Sequence, residues 1–128
     1  MNIDKKYYQE INENLTNTIQ DTNISAPNKK VGKVRDAYFL NDKVVMISTD
    51  RQSAFDRVLA AIPYKGAVLN SVSAWWFKKT EHLFPNHLIS TPDPNVSIVE
   101  KCTVFPVEFV VRGYSTGTTD TSLWTVYN

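Results

Sequence analysis

The spacing of apolar residues changes from helical to extended at Lys29, and this change constrains the fold more than any other feature. Before it, six apolar residues recur every three or four positions and share one helical face: Ile3, Tyr7, Tyr8, Ile11, Leu15 and Ile19. From Lys29 to Thr49 the period is two, and Asn41-Asp42 separates two β-rich runs. The sequence predicts a helix over residues 3–19, a connector, and a three-stranded antiparallel meander with Gly32 near its first bend.

Composition excludes several classes of protein. The chain has 128 residues, of which 42% are hydrophobic, and its net charge is +1, a combination that is too apolar for a disordered segment. Fourteen basic residues against 13 acidic ones exclude a strongly basic nucleic-acid-binding module. No run approaches the roughly 18 apolar residues of a membrane span, and the first residues lack the apolar core of a signal peptide. We therefore expect a cytoplasmic domain that binds neither membranes nor nucleic acid.

The second half of the chain predicts one helix and further strands. Residues 66–79 have helical spacing, and five apolar side chains form a stripe that we expect to cover the sheet: Val68, Leu69, Val72, Trp75 and Trp76. A short strand over residues 88–90, a turn over residues 91–95 and strands over residues 97–104 and 107–114 follow. Another helix begins at Leu123, and its start so close to Asn128 suggests that the chain is cut off.

A candidate phosphate-binding segment lies at the first bend of the meander. Gly32 allows close approach of the backbone to a ligand. Lys33 and Arg35 are two residues apart, so in one strand both would point to the same side and neutralise a phosphate. The alternative is a solvated strand face with an ordinary turn glycine.

A second candidate is the polar segment from Asp50 to Asp56, which we expect to be a loop after a strand. Binding groups concentrate on such loops. Arg51 could bind a carboxylate or phosphate with two hydrogen bonds, and Asp50 or Asp56 could hold a cation. The alternative is a helix-capping loop with Ser53 or Asp50 as the cap.

The third candidate places charges inside an apolar strand. Glu108 and Arg112 share a face of the predicted strand over residues 107–114, and a charge there is costly unless it is paired or faces a ligand. The segment that follows, residues 113–118, is rich in glycine and hydroxyl groups, which suit a phosphate. The alternative is an internal Glu108–Arg112 ion pair.

Four segments in order resemble the SAICAR synthetase family (phosphoribosylaminoimidazole-succinocarboxamide synthase) of purine biosynthesis: GKVRD, TDRQSAFDRVL, KGAVLNSVSAWWF and PVEFVVRGYSTGT. The resemblance implies an α+β fold, with an antiparallel sheet and flanking helices, in a lobe that covers ATP and is similar in layout to the N-terminal lobe of protein kinases. A kinase itself is disfavoured, because the chain lacks a Val-Ala-Ile-Lys strand and a glycine-rich triplet.

The resemblance implies a ligase that joins carboxyaminoimidazole ribonucleotide and L-aspartate, using ATP and Mg²⁺. For ATP it implies contacts from six residues: Gly32, Lys33, Arg35, Val104, Val107 and Glu108. For the other substrates it implies seven: Asp50, Arg51, Ser53, Lys65, Arg112, Ser115 and Thr118. Asp56 and Glu108 are the expected catalytic residues. Thr118 stands where the family has serine, and no metal ligand is identified.

The family's second signature, Asp-x-Lys-apolar-Glu-Phe-Gly, is absent from the sequence. We therefore expect an N-terminal portion of the enzyme, with a helix and connector over residues 1–27, the ATP-covering lobe over residues 28–114 and the start of a second lobe over residues 115–128. Such a portion is expected to be inactive alone and to self-associate through exposed apolar surface. The alternative function is a non-catalytic nucleotide-binding or assembly domain of the same ancestry.

Overall fold

The structure is a computed structural model that describes residues 5–55, 57–107, 109, 111, 113–114, 117–120 and 122–127. Its helices and strands are α1 (Lys5–Glu13), β1 (Lys29–Val31), β2 (Arg35–Phe39), β3 (Lys43–Ser48), β4 (Arg51–Ala54), β5 (Arg57–Ala61), α2 (Lys65–Thr80), β6 (Leu88–Asp93), β7 (Val96–Glu100) and α3 (Leu123–Tyr127). Within these ranges, five strands form one antiparallel sheet in the order β1-β2-β3-β7-β6, and β4 and β5 form a separate hairpin. The predicted α+β class is confirmed.

The meander has the predicted strand order. Arg35 pairs with Ser48 and Phe39 with Val44 across β2 and β3, and β1 pairs with β2. Lys33 and Val34 form the turn between β1 and β2. The expectation that Lys33 and Arg35 share one strand face is therefore wrong, because the chain reverses between them.

The two faces of the sheet are covered by different parts of the chain. Val44 and Val99 are opposite each other in β3 and β7 and are 7% and 3% exposed, and α2 packs against these strands. Tyr38 in β2 points to the other face, where Thr22 of the connector accepts a hydrogen bond from the Tyr38 hydroxyl at 2.8 Å. The connector is thus part of the folded unit.

Helix α2 packs on the sheet through small and polar residues. Gly66 and Asn70 are its buried residues. A Cβ on Gly66 would lie 2.3 Å from the Ser48 carbonyl oxygen, so the helix can approach the sheet this closely only because residue 66 is glycine. Asn70 accepts a hydrogen bond from Ser97 Oγ at 2.7 Å and donates one to the Pro94 carbonyl at 3.0 Å.

The prediction that the apolar stripe of α2 covers the sheet is wrong. Its members are 49–57% exposed on the opposite side of the helix, and we call them the outward face of α2: Val68, Leu69, Val72, Trp75 and Trp76. The rings of Trp75 and Trp76 meet edge to face at 4.8 Å. The spacing of apolar residues predicts the wrong face of α2, because the contact with the sheet requires small side chains. Small side chains contribute little to a hydrophobic pattern.

The predictions for two further segments were wrong for local reasons. Helix α1 ends at Glu13 rather than at residue 19, since the Asn14 side chain donates to the Glu10 carbonyl and Ile19 is held by Asp50 instead. The predicted loop over residues 50–56 is largely strand β4, which pairs with β5. Polar residues form this strand because the hairpin is two-stranded and partly open to solvent.

The strands predicted after residue 100 are not found where the structure describes the chain. Strand β7 ends at Glu100 rather than at Val104. Val107, Phe109 and Val111 do not belong to a strand and are 61%, 79% and 98% exposed. Residues 108, 110 and 112 of the strand predicted over residues 107–114 lie outside the described residues. The helix that was predicted to begin at Leu123 is present as α3.

Candidate functional site

The candidate phosphate-binding segment is a tight turn. The amide of Gly32 donates to the Arg35 carbonyl at 2.8 Å, which closes the turn between β1 and β2. A Cβ on Gly32 would lie 2.8 Å from that same oxygen, so a larger residue would force the turn open. We call residues 32–34 the β1–β2 turn.

A buried carboxylate lies beside this turn. Asp36 is 0% exposed, and both of its oxygens accept hydrogen bonds: Oδ1 from Arg51 Nη2 at 2.7 Å and Oδ2 from Thr22 Oγ1 at 2.7 Å. Lys29 Nζ is 3.2 Å from Asp36 Oδ2 and 2.7 Å from Asp21 Oδ1. We call this set the polar anchor: Thr22, Lys29, Asp36, Tyr38 and Arg51.

Opposing effects set the pKa of Asp36. Burial is the largest single effect and favours the protonated form, but the hydrogen bonds from Arg51, Thr22 and Lys29 together outweigh it. The pKa of Asp36 is therefore held below its ordinary value. At neutral pH the polar anchor contains a carboxylate that is paired with a buried guanidinium.

Arg51 connects the polar anchor to the turn. Besides Asp36, its guanidinium donates to the carbonyls of Gly32 at 3.0 Å and Lys33 at 3.2 Å, and to the Gln20 carbonyl at 2.6 Å. Arg51 is 8% exposed. All four acceptors belong to the chain itself, and a contact of Arg51 with a substrate carboxylate or phosphate stays a prediction.

Asp50 holds the start of α2, as the capping alternative proposed. Its Oδ1 accepts from the Gly66 amide at 2.9 Å and its Oδ2 from the Ile19 amide at 2.8 Å. A carboxylate at this end of a helix is also favoured by the helix dipole. Lys65 Nζ donates to the Arg51 carbonyl at 3.0 Å. The structure thus brings the β1–β2 turn, residues 50–51 and residues 65–66 together.

The other predicted site residues have different surroundings. Ser53 lies in β4 at an irregularity in its pairing with β5. Val104 and Val107 are 84% and 61% exposed, and Thr118 is also exposed. Four predicted residues lie outside the described residues: Asp56, Glu108, Arg112 and Ser115. Their roles stay predictions, and so does the alternative of a Glu108–Arg112 ion pair.

Asp36 was missed as a site residue, although the sequence contained a signal for it. In strand β2 its side chain alternates in phase with that of buried Tyr38, and a charge at an inward position requires a buried partner. Arg51 is that partner, but β2 and β4 are not neighbours in a sheet. The sequence pattern alone could not show that they meet.

Comparison with known proteins agrees with this architecture. The family model described as SAICAR synthetase matches residues 28–127. The chain belongs to the SAICAR synthetase family. It is 61% identical over 109 residues to a phosphoribosylaminoimidazole-succinocarboxamide synthase from Legionella pneumophila, a match that covers 85% of this chain and 35% of the relative. The chain spans about a third of the length of the curated relatives it matches.

Solved structures of the family have the same fold. A SAICAR synthase from Saccharomyces cerevisiae, complexed with SAICAR, is 30% identical and superposes with a TM-score of 0.70 over 77% of this chain and 42% of that one. A type-2 SAICAR synthetase in complex with ADP is 30% identical, with a TM-score of 0.56 over 62% of this chain and 35% of that one. The predicted family and fold are confirmed.

Proposed function

We propose that a protein carrying this chain together with the remaining length of its relatives is an ATP-dependent ligase. It joins carboxyaminoimidazole ribonucleotide to L-aspartate and forms SAICAR, ADP and phosphate, in the cytoplasm. The observation that carries the proposal is the 61% identity to a named synthase across 85% of the chain. Two related structures, one in complex with ADP and the other with SAICAR, support a nucleotide and a ribonucleotide as ligands of the family.

In this proposal the β1–β2 turn covers the phosphates of ATP. Gly32 keeps the turn narrow, and Lys33 within the turn and Arg35 directly after it supply positive charge. Val104 and Val107 contribute apolar surface to the adenine, and Glu108 orients the nucleotide. The tight closure of the turn by the Gly32 amide supports this role, because a narrow turn brings backbone close to a phosphate.

The proposed chemistry passes through an acyl phosphate. ATP phosphorylates the imidazole carboxylate and leaves as ADP, and the aspartate amine then attacks the acyl carbon and displaces phosphate. Asp56 is proposed to act at the reacting groups, while Arg112, Ser115 and Thr118 hold the ribonucleotide phosphate. Lys65, at the start of α2, is proposed as a second anion contact, and Ser53 as a polar contact to substrate.

Magnesium is proposed as the companion of ATP rather than as an ion held by the described residues. These residues contain no group of three or more His, Cys, Asp or Glu side chains that could hold a metal ion. Asp36 and Asp50, two buried carboxylates near the turn, already accept hydrogen bonds from protein donors on both oxygens. The described residues therefore do not fit a magnesium site.

Kinetics of the longer protein test the assignment. Lys33→Ala is expected to raise KM for ATP and Arg112→Ala to raise KM for the ribonucleotide, each roughly tenfold or more, because a charge-assisted contact is lost. Lys43→Ala at the exposed start of β3 is the control and should change neither. If both variants raised KM for the same substrate, the assignment of Lys33 to ATP and of Arg112 to the ribonucleotide would be wrong.

The 128-residue chain alone is expected to show no turnover near the several per second that is typical of enzymes.

A second candidate function is assembly, and the outward face of α2 favours it. Its five side chains are 49–57% exposed, and a contiguous apolar patch of this kind promotes association. In light scattering across a concentration series, the chain should associate, and Trp75→Ser with Trp76→Ser should weaken association. The control is Leu83→Ser with Phe84→Ser, which removes exposed apolar side chains outside this face. Equal scattering from both double variants would contradict a role for the outward face.

A further inference from the structure

The β1–β2 turn is fixed from one side by two residues that follow strand β3. The carbonyl oxygens of Gly32 and Lys33 accept hydrogen bonds from the Arg51 guanidinium at 3.0 and 3.2 Å. The Val34 carbonyl accepts from the amide and hydroxyl of Thr49 at 3.0 and 2.9 Å. All the carbonyls of the turn are therefore bound by the protein interior.

This anchoring sets the direction of the amides in the turn. In a planar trans peptide, the C=O of one residue and the N–H of the next point in opposite directions, and the described residues contain no cis peptide bond. Because the carbonyls of Gly32 and Lys33 point towards Arg51, the amides of Lys33 and Val34 point away from it. Successive outward amides form a concavity suited to an anion.

Arg51 is itself held in place. Its side chain is 10% exposed and is paired with Asp36, which has no exposed surface, and a further bond to the Gln20 carbonyl fixes the connector. The guanidinium is planar and its donors have a fixed geometry, so its contacts define where the turn carbonyls lie. Thr49, only 1% exposed, fixes the last of them.

We propose that Arg51 is a positioning residue, which holds the carbonyls of the β1–β2 turn inward so that its amides face the phosphates of a bound nucleotide. This inference rests on the proposed function for the identity of the ligand. It differs from the sequence-based expectation, in which Arg51 itself binds a substrate.

Arg51→Lys separates the positioning role from simple charge pairing. Lysine keeps the positive charge beside Asp36, so we expect the fold to be retained, but its single ammonium group cannot reproduce the fork of donors that reaches Gly32, Lys33 and Gln20. Arg57→Lys is the matched control, because it makes the same chemical change at an exposed residue of β5, outside the turn.

Two measurements on the 128-residue chain decide the proposal. In Arg51→Lys, hydrogen exchange of the Gly32 amide should accelerate roughly tenfold or more while the amides of β3 keep their rates. The affinity for Mg²⁺-ADP by titration calorimetry should fall by a similar factor at a temperature where both proteins are folded. Arg57→Lys should change neither. Unchanged exchange at Gly32, or faster exchange with unchanged ADP affinity, would overturn the proposal.

Failure of the proposed function gives a different result. If the unsubstituted chain does not bind Mg²⁺-ADP at all, nucleotide binding by this part of the chain is contradicted. Hydrogen exchange then still decides whether Arg51 fixes the turn, because that measurement needs no ligand.

Discussion

Charged side chains are usually exposed and large apolar ones buried, but the polar anchor and the outward face of α2 show the opposite arrangement. The anchor contains an aspartate and an arginine that are 0% and 8% exposed, whereas the outward face contains two tryptophans that are 56% and 55% exposed. The charged groups are inside because each finds partners there: Asp36 accepts from three side chains, and Arg51 donates to four acceptors.

Hydrogen-bonding partners, rather than polarity, decide which side chains this fold buries. A buried charge is tolerated only when its hydrogen bonds are complete. Gly66 and Asn70 are buried on the inner side of α2 because of what they contact there. Gly66 allows the helix to lie close to the sheet, and Asn70 accepts a hydrogen bond from it. The five large apolar side chains of the outward face are left on the other side.

Removal of the Asp36 carboxylate should produce the largest effect on stability. Asp36→Ala leaves the buried Arg51 guanidinium without its counter-charge, so the free energy of unfolding should fall by about 3–5 kcal/mol. Urea denaturation measures it. Asp42→Ala in the exposed β2–β3 turn is the control, with an expected change within about 0.5 kcal/mol. A similar small change for Asp36→Ala would mean that the anchor is not buried in solution.

The close approach of α2 to the sheet can be tested by substitution of Gly66. Gly66→Ala places a Cβ where the Ser48 carbonyl oxygen is only 2.3 Å away, and relieving this contact requires the helix to shift. Over-packing of this kind costs about 1–3 kcal/mol, which urea denaturation would detect. Gly113→Ala is the matched control, because nothing lies within 4 Å of its added Cβ. Equal effects would show that α2 does not pack through Gly66.

Sequence patterns predicted those parts of the fold that depend on local periodicity and turn chemistry. The meander and the turn at Gly32 follow from the period of two and from the residues between its apolar runs. The capping role of Asp50 was one of two alternatives, and choosing between them required knowing that Gly66 lies beside it. The orientation of α2 was missed because small residues, rather than large apolar ones, make its contact with the sheet.

The candidate site was predictable only in part, for a related reason. The segment containing Gly32 and Lys33 was identified from its residue types, but the pairing of Asp36 with Arg51 joins strands that are not neighbours. A contact between strands that are not neighbours produces no periodic pattern in the sequence. Among the described residues, β7 ends at Glu100 and no strand follows it, since a β pattern does not specify the neighbour with which a strand must pair.

The pH dependence of stability should identify the same carboxylate. Because the pKa of Asp36 is lower in the folded chain than its ordinary value, the unfolded chain binds more protons in acid. The stabilisation is present above about pH 4, the pKa of an unfolded aspartate, and is lost as the pH falls towards the folded pKa. Asp36→Asn should make the unfolding free energy less dependent on pH in this range.

The measurement is urea denaturation at several pH values between neutrality and acid. Asp42→Asn is the control, for it removes a carboxylate from an exposed position of the β2–β3 turn. If Asp36→Asn retained the full acid dependence of the unsubstituted chain, the stabilising interactions of this carboxylate would be weaker than its burial and three donors imply.

The smallest effect is expected on the outward face, where one chemical change can be compared at two sites. Val72 of α2 is 50% exposed and Val99 of β7 is 3% exposed. Val99→Ala removes fully buried methyl groups and should lower the free energy of unfolding by about 2 kcal/mol. Val72→Ala should change it by less than about 0.5 kcal/mol, because little buried surface is lost and alanine favours the helix. Urea denaturation at low protein concentration measures both. An equal loss at the two sites would mean that another surface covers the outward face in solution, and the contrast with the polar anchor would then disappear.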